Sequence, residues 1–283
     1  MNGAVPHSGP DPEAPIGVFD SGFGGLTVAR AMSDQLPGER LLYLGDTARA
    51  PYGPLPIDVV REYALECLDH LAAQGVKALV IACNSASSAM LRDARQRYDV
   101  PVVDVILPAA RRAARTTRNG RVGVICTEAT ASSGAYADAL GVAPVEVTVQ
   151  ACPRFVEFVE AGVTGGPELM AAAEEYLAPV RAADVDTLVL GCTHYPLLTG
   201  VISYLLGPGV TLVSSAEECA TATYATLTRE GLLRGGSAAG APRPGRDLRP
   251  ARIEFITTGS PDAFAGIGRR LVGEWVGDVR QFS

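Results

Sequence analysis

The chain carries the same pair of segments twice. Arg121-Val-Gly-Val-Ile-Cys-Thr127 repeats the pattern of Pro15-Ile-Gly-Val-Phe-Asp-Ser21, and Thr187-Leu-Val-Leu-Gly-Cys-Thr193 repeats Ala78-Leu-Val-Ile-Ala-Cys-Asn84. Gly17 and Cys83 are 66 positions apart, and Gly123 and Cys192 are 69 apart. A strand-sized apolar run, a spacer of nearly constant length and a second such run imply two similar halves, each ending one strand in a cysteine.

Around this echo, short apolar, β-branched runs alternate with longer stretches of helical pattern. The runs are Ile16 to Phe19, Leu41 to Leu44, Ala78 to Ile81, Pro101 to Val105, Val122 to Ile125, Val145 to Val149, Thr187 to Leu190, Val210 to Val213 and Ile253 to Ile256. Strands buried on both faces and separated by helices indicate an α/β protein with largely parallel sheets. The expected architecture is two similar doubly wound domains related by a pseudo-twofold. In open α/β sheets ligands bind beyond the carboxyl ends of the strands, so face-to-face packing of the halves brings both cysteines to one interdomain cleft.

Composition narrows the function classes. The 283 residues are 47% hydrophobic, enough for buried cores. A net charge of -7 argues against nucleic acid or an anionic membrane as partner, since both require a basic surface. Met1 to Pro15 has no basic segment followed by an apolar one and reads as a frayed tail. No apolar run approaches the ~20 residues that span a bilayer. The expected location is the cytoplasm, where the six cysteines stay thiols.

Lys77 is the only lysine, the other 23 of 24 basic residues being arginine. A pyridoxal phosphate enzyme needs a lysine for its Schiff base. Lys77 opens the run Ala78 to Ala82 and reads as the solvated start of a strand, so that cofactor is disfavoured. The stretch Arg234 to Pro250 is rich in Gly, Pro and Arg without periodicity and reads as a flexible surface loop.

The chemistry-bearing residues follow the echo. Moving a proton on and off a carbon acid with inversion needs a base on one face and an acid on the other. Two thiols from mirrored positions supply that symmetry, and a thiol pKa of about 8.5 lets thiol and thiolate both be populated. Cys83 precedes Asn84-Ser85-Ala86-Ser87-Ser88, a helix start whose backbone N–H groups can hold a carboxylate. Cys192-Thr193-His194-Tyr195-Pro196 sets thiol, hydroxyl and imidazole in consecutive positions before a proline-started helix. Either cysteine alone reads as an ordinary buried thiol; the pair reads as functional. Asp20-Ser21-Gly22-Phe23-Gly24-Gly25 has a glycine-loop look but neither nucleotide-binding spacing, so Asp20 is read as binding a substrate ammonium or orienting a thiol.

Other chemistries fit less well. Cys67 with His70, and Cys192 with His194, lack the further ligands of a tetrahedral zinc site. Cys67, Cys126, Cys152 and Cys219 are assigned to packing. A cysteine hydrolase built on Cys192 and His194 leaves Cys83 without a role, and a non-catalytic amino acid binding protein needs no thiols at all.

Six runs taken together carry a family resemblance. They are Phe19 to Val28, Asp46 to Gly53, Ala82 to Ser87, Gly123 to Thr130, Cys152 to Val156 and Leu190 to Leu198. From Ile16 to about Phe264 the chain resembles the glutamate racemases of the aspartate/glutamate racemase superfamily. The resemblance implies two α/β domains with the active site between them. It also implies no cofactor, and interconversion of L- and D-glutamate for peptidoglycan precursors. A sister racemase acting on aspartate satisfies the two-cysteine logic equally, but the motifs around Tyr52 and His194 favour glutamate.

Carried over by position, Cys83 and Cys192 are the acid/base pair, Asp20 assisting Cys83 and His194 assisting Cys192. Asp20, Ser21, Tyr52, Gly53, Asn84, Ser85, Thr193 and His194 hold the substrate, with Thr127 and Thr130 nearby and Glu160 a further assistant. Cys192 deprotonates L-glutamate and Cys83 the D enantiomer. The implied domains are 1–107 plus 215–283, where the chain crosses back, and 108–214. Two departures stand out. Ser85 replaces the usual threonine, and Cys126 replaces a common glycine, a bulk expected near the cleft with an effect on access or oxidation. The sequence leaves the oligomeric state open, a homodimer being one option.

Overall fold

The computed structural model describes residues 9–235 and 253–282. The proline-rich stretch therefore lies outside the described residues, except for Arg234 and Gly235. Strands β1 (Ile16–Asp20), β2 (Leu41–Gly45), β3 (Ala78–Ile81) and β4 (Val102–Asp104) belong to the first half of the chain. Strands β5 (Arg121–Cys126), β6 (Glu146–Ala151), β7 (Thr187–Gly191) and β8 (Thr211–Ser214) follow, then β9 (Ile253–Thr257) and β10 (Val279–Gln281). The helices are α1 (Leu26–Gln35), α2 (Ile57–Ala73), α3 (Asn84–Arg97), α4 (Ile106–Thr116), α5 (Glu128–Ser132) and α6 (Ala135–Leu140). Then come α7 (Arg154–Glu160), α8 (Pro167–Ala182), α9 (Thr199–Leu206), α10 (Ser215–Arg229) and α11 (Pro261–Val272).

Every strand pairing is parallel, in two sheets. One has the order β10-β9-β2-β1-β3-β4 and the other β6-β5-β7-β8. The four-strand unit β2-β1-β3-β4 is repeated as β6-β5-β7-β8, the doubled α/β architecture expected from the echo. The chain returns to the first sheet through β9 and β10. The central strands β1, β3 and β7 are buried at every residue, because helices cover both faces of a parallel sheet.

The repeat extends to packing. A Cβ on Gly17 would sit 3.1 Å from Leu79, with Val76 and Leu71 also within 3.3 Å. One on Gly123 would sit 2.8 Å from Leu188, with Val180 and Val185 within 3.3 Å. At both places the neighbouring strand's leucine and the helix covering the sheet come too close for a side chain on the strand. Helices α1, α4 and α10 lie between the halves, and their apolar faces join both sheets into one core that includes Val18, Met32, Ala109, Val124, Val189 and Ala220. Two further clusters line the outer faces, one per half.

Two sequence expectations need correction, and one strand was not foreseen. Lys77 is fully buried, not solvated: its Nζ donates to Glu39 Oε2 (2.5 Å), Pro12 O (2.6 Å) and Leu232 O (2.8 Å). The segment 9–15 is anchored rather than frayed, through Pro12 and through Glu13, which accepts from Arg234. Strand β10 was not foreseen, because at an edge its Val279-Arg280-Gln281 needs only one partly buried apolar residue. Among the described residues, no helix is long and apolar enough to cross a membrane.

Candidate active site

Strands β1, β3, β5 and β7 all end at one cavity of about 380 Å³, within the size range of small-molecule pockets, about 300–1,000 Å³. Cys83 and Cys192, Ser21, Tyr52 and Gly53, Asn84 and Ser85, Thr127, Glu160, Thr193 and His194 all line it. Asp20 and Thr130 do not. Both are 1% exposed and sit behind the wall.

Cys83 leaves the end of β3 as the N-cap of α3, its Sγ accepting from Ala86 N (3.4 Å). Capping by a thiol leaves the amides of Asn84 and Ser85 at the helix N-terminus, where the dipole favours an anion. The thiol donates to Ser21 Oγ at 3.2 Å. Burial, then the Asp20 carboxylate, pushes its pKa up to about 12, against the opposing pull of Ser21 and the Ala86 amide. Asp20 accepts from Gly22 N (2.9 Å) through Oδ2, while Oδ1 has no hydrogen-bond partner. Burial raises the Asp20 pKa, against the opposing pull of backbone N–H groups and His194, and the carboxyl stands behind the thiol.

Cys192 lies one residue past β7. His194 Nδ1 is 3.7 Å from its sulfur, and His194 Nε2 is 3.0 Å from Glu160 Oε1, the last residue of α7. Burial alone lowers the imidazole pKa, but hydrogen bonds and charge from Cys192 and Glu160 outweigh it and lift the pKa to about 10. His194 is thus held as an imidazolium between a sulfur and a carboxylate. Pro196 opens no α-helix here: Tyr195–Leu198 is a single 3-10 turn, pinned by the Tyr195 hydroxyl on Cys126 O (3.0 Å) and Cys152 O (2.8 Å).

The polar rim joins the halves. Ser85, Thr127 and Thr130 form a hydroxyl triangle with edges of 2.9, 3.1 and 3.5 Å. Asn84 is held by the Tyr136 hydroxyl on its Oδ1 (2.8 Å), and its Nδ2 donates to Ser215 (3.4 Å). Gly24 faces His194 so closely that a Cβ there would overlap Thr193 Oγ1 and lie 2.5 Å from His194 Nδ1. Tyr52 lines the cavity, and its hydroxyl donates to Asp46.

Cys126 corrects another expectation. It is fully buried, does not line the cavity, and burial pushes its thiol up to about 12. It neither narrows access nor offers a reactive thiolate. Among the described residues, no group of three His, Cys, Asp or Glu side chains is placed to hold a metal ion. Sequence reasoning missed Glu128, Val156 and Glu157 as lining residues. Glu157 lies one helical turn before Glu160, a spacing that could have flagged it.

A profile of the Asp/Glu/Hydantoin racemase family matches residues 16–223. A glutamate racemase of Parafrankia sp. is 63% identical over 261 residues, covering 92% of this chain and 91% of that protein. The crystal structure of glutamate racemase from Thermus thermophilus in complex with β-chloro-D-alanine is 46% identical, with a TM-score of 0.83, over 96% of this chain and 98% of that one. The Francisella tularensis glutamate racemase in complex with D-glutamate is 30% identical, with a TM-score of 0.85 and the same coverage.

Proposed function

Since the chain belongs to the Asp/Glu/Hydantoin racemase family and is an amino acid racemase, we propose that it interconverts L- and D-glutamate by proton transfer between Cys83 and Cys192. The observation that carries this reading is the pair of thiols, from equivalent positions of the two repeated sheets, lining one small cavity. The substrate assignment is supported by relatives named glutamate racemase and by the D-glutamate bound to the Francisella protein.

The Cys192 thiolate, with the His194 imidazolium beside it, takes the α proton of L-glutamate, and the C–H electron pair stays on the α carbon. The Cys83 S–H gives its proton to the opposite face, releasing D-glutamate and leaving a thiolate at Cys83. The reverse direction runs the same steps backwards. Ser21, Asn84, Ser85, Thr127 and Thr193, with the backbone at Gly53, hold the substrate carboxylates and ammonium, while Thr130 and Asp20 support from behind. Asp20 serves Cys83, and Glu160 serves Cys192 through His194. We place the enzyme in the cytoplasm supplying D-glutamate for peptidoglycan, with no cofactor, and divide it into domains 1–107 plus 215–283 and 108–214.

The test is incubation with D-glutamate, then D-aspartate, in deuterated water without added cofactor, following optical rotation and loss of the α proton. Exchange and racemisation of glutamate are expected. Exchange of neither substrate refutes a racemase, and exchange of aspartate alone moves the substrate to aspartate.

A further inference from the structure

Asp46 follows β2 directly, its N–H donating to Asp20 O (2.9 Å), and its carboxylate is fully buried yet completely satisfied. One oxygen accepts from the Thr258 hydroxyl (2.7 Å), just past β9. The other accepts from Arg49 Nε (2.7 Å) and from the Tyr52 hydroxyl. Arg49 is fixed in turn by Glu66 (2.5 Å) and by stacking on the Tyr63 ring, 4.4 Å from its centroid. A buried charge with three donors is a rigid anchor, because releasing any donor leaves that charge under-solvated.

What the anchor holds is the loop from Pro51 to Pro54, one wall of the cavity. The loop also reaches the other half: Gly53 O accepts from Ala129 N (3.0 Å) of α5, and a Cβ on Gly53 would stand 3.2 Å from Thr127. The height of this loop over the cleft, and with it the spacing between Gly53 and the α5 N-terminus, therefore depends on a carboxylate that never touches the cavity.

We infer that Asp46 is a positioning residue for the reaction, acting through the Tyr52 hydroxyl to hold the Tyr52-Gly53 wall and the N-terminus of α5 at substrate-binding distance. The inference rests on the racemase reading above. The clamp acts on bound substrate and transition state alike, so its loss raises KM more than it lowers kcat.

The experiment measures kcat and KM for D-glutamate racemisation, and D-glutamate affinity by calorimetry, in the wild type and in Asp46→Asn, Tyr52→Phe and the double variant. Asp46→Asn and Tyr52→Phe should each raise KM and Kd by about tenfold, with kcat changed much less. The double variant should be no worse than Asp46→Asn alone, the non-additivity of two groups in one path. Unchanged KM and Kd in both single variants, or a lower kcat at constant KM, would overturn the inference, because a merely structural role reduces the number of active molecules and not their affinity. If Asp46→Asn does not fold, Tyr52→Phe decides, since it removes one oxygen and keeps the ring against Phe19 and Tyr63. A wild type that racemises aspartate rather than glutamate refutes the substrate assignment alone, and the same variants are then measured on aspartate.

Discussion

A thiol and an imidazole two residues apart are common; what separates Cys192 from an ordinary cysteine is the line from Sγ through His194 to Glu160. Cys83 has no imidazole beside it; the charge that acts on it most is the buried Asp20 carboxylate, which disfavours a thiolate. The two faces of the cavity are thus unequal: Cys83 holds its proton, and positive charge stands on His194 beside Cys192. Replacing either thiol by a hydroxyl leaves one face without a usable proton carrier. Cys83→Ser and Cys192→Ser should each lower racemisation by about 10²–10⁴-fold, read by polarimetry on glutamate. His194 also links to stability. Its pKa is raised from 6.5 to about 10 in the folded state, so its contribution is complete below pH 6.5 and is lost as pH rises through 10. The Tm difference between the wild type and His194→Asn should therefore shrink steadily over that interval in pH-resolved calorimetry. A constant difference would show that the charge of His194 is not what stabilises.

At the scale of elements, every strand but β10 was legible as a short apolar run, including the partly exposed edge strands β6 and β8. β1, β3, β5 and β7 are buried almost throughout because helices cover both faces, and β3 and β7 lead directly into the two site cysteines. Strand β10, half exposed at an edge, carries no such run. Tyr136 was not legible as a site neighbour, because its hold on Asn84 spans 52 positions and no local pattern encodes it. Lys77 misled for the same reason: its partners Glu39 and Leu232 lie 38 and 155 positions away. The loop 21–25 shows an element set by what it must not contain. Gly24→Ala would drive a methyl into Thr193 and His194, and a misplacement of about 1 Å at reacting groups can cost about 10²-fold. A fall in kcat/KM of that order is expected. Gly200→Ala on α9, with nothing within 4 Å of its new Cβ, should keep kcat/KM and raise stability by about 0.4–1 kcal/mol.

For the whole molecule, the shared core of α1, α4 and α10 means that the halves are not independent modules. The chain segment leaving α10 is fixed to the first sheet around one buried ion pair, Lys77–Glu39, with Arg234 N also donating to Glu39. Lys77 Nζ ties Glu39, two residues before β2, to Pro12 and to Leu232 beyond α10. Removing one partner of such a pair leaves an uncompensated charge and costs about 3–5 kcal/mol, whereas replacing both by apolar groups is often close to neutral. Lys77→Met should therefore lower Tm by roughly 2–4 °C per kcal/mol lost, and Lys77→Met with Glu39→Leu should recover part of the fall. Because Lys77 is the only lysine, the same variant removes every side chain able to form a Schiff base. Racemisation at 25 °C by folded Lys77→Met should stay near the wild-type rate. A folded protein with no activity would overturn the reading that Lys77 acts on stability alone. Lys77 contacts lie at the amino end of β3 and Cys83 beyond its carboxyl end, so the length of the strand separates the stabilising charge from the proton-transfer site.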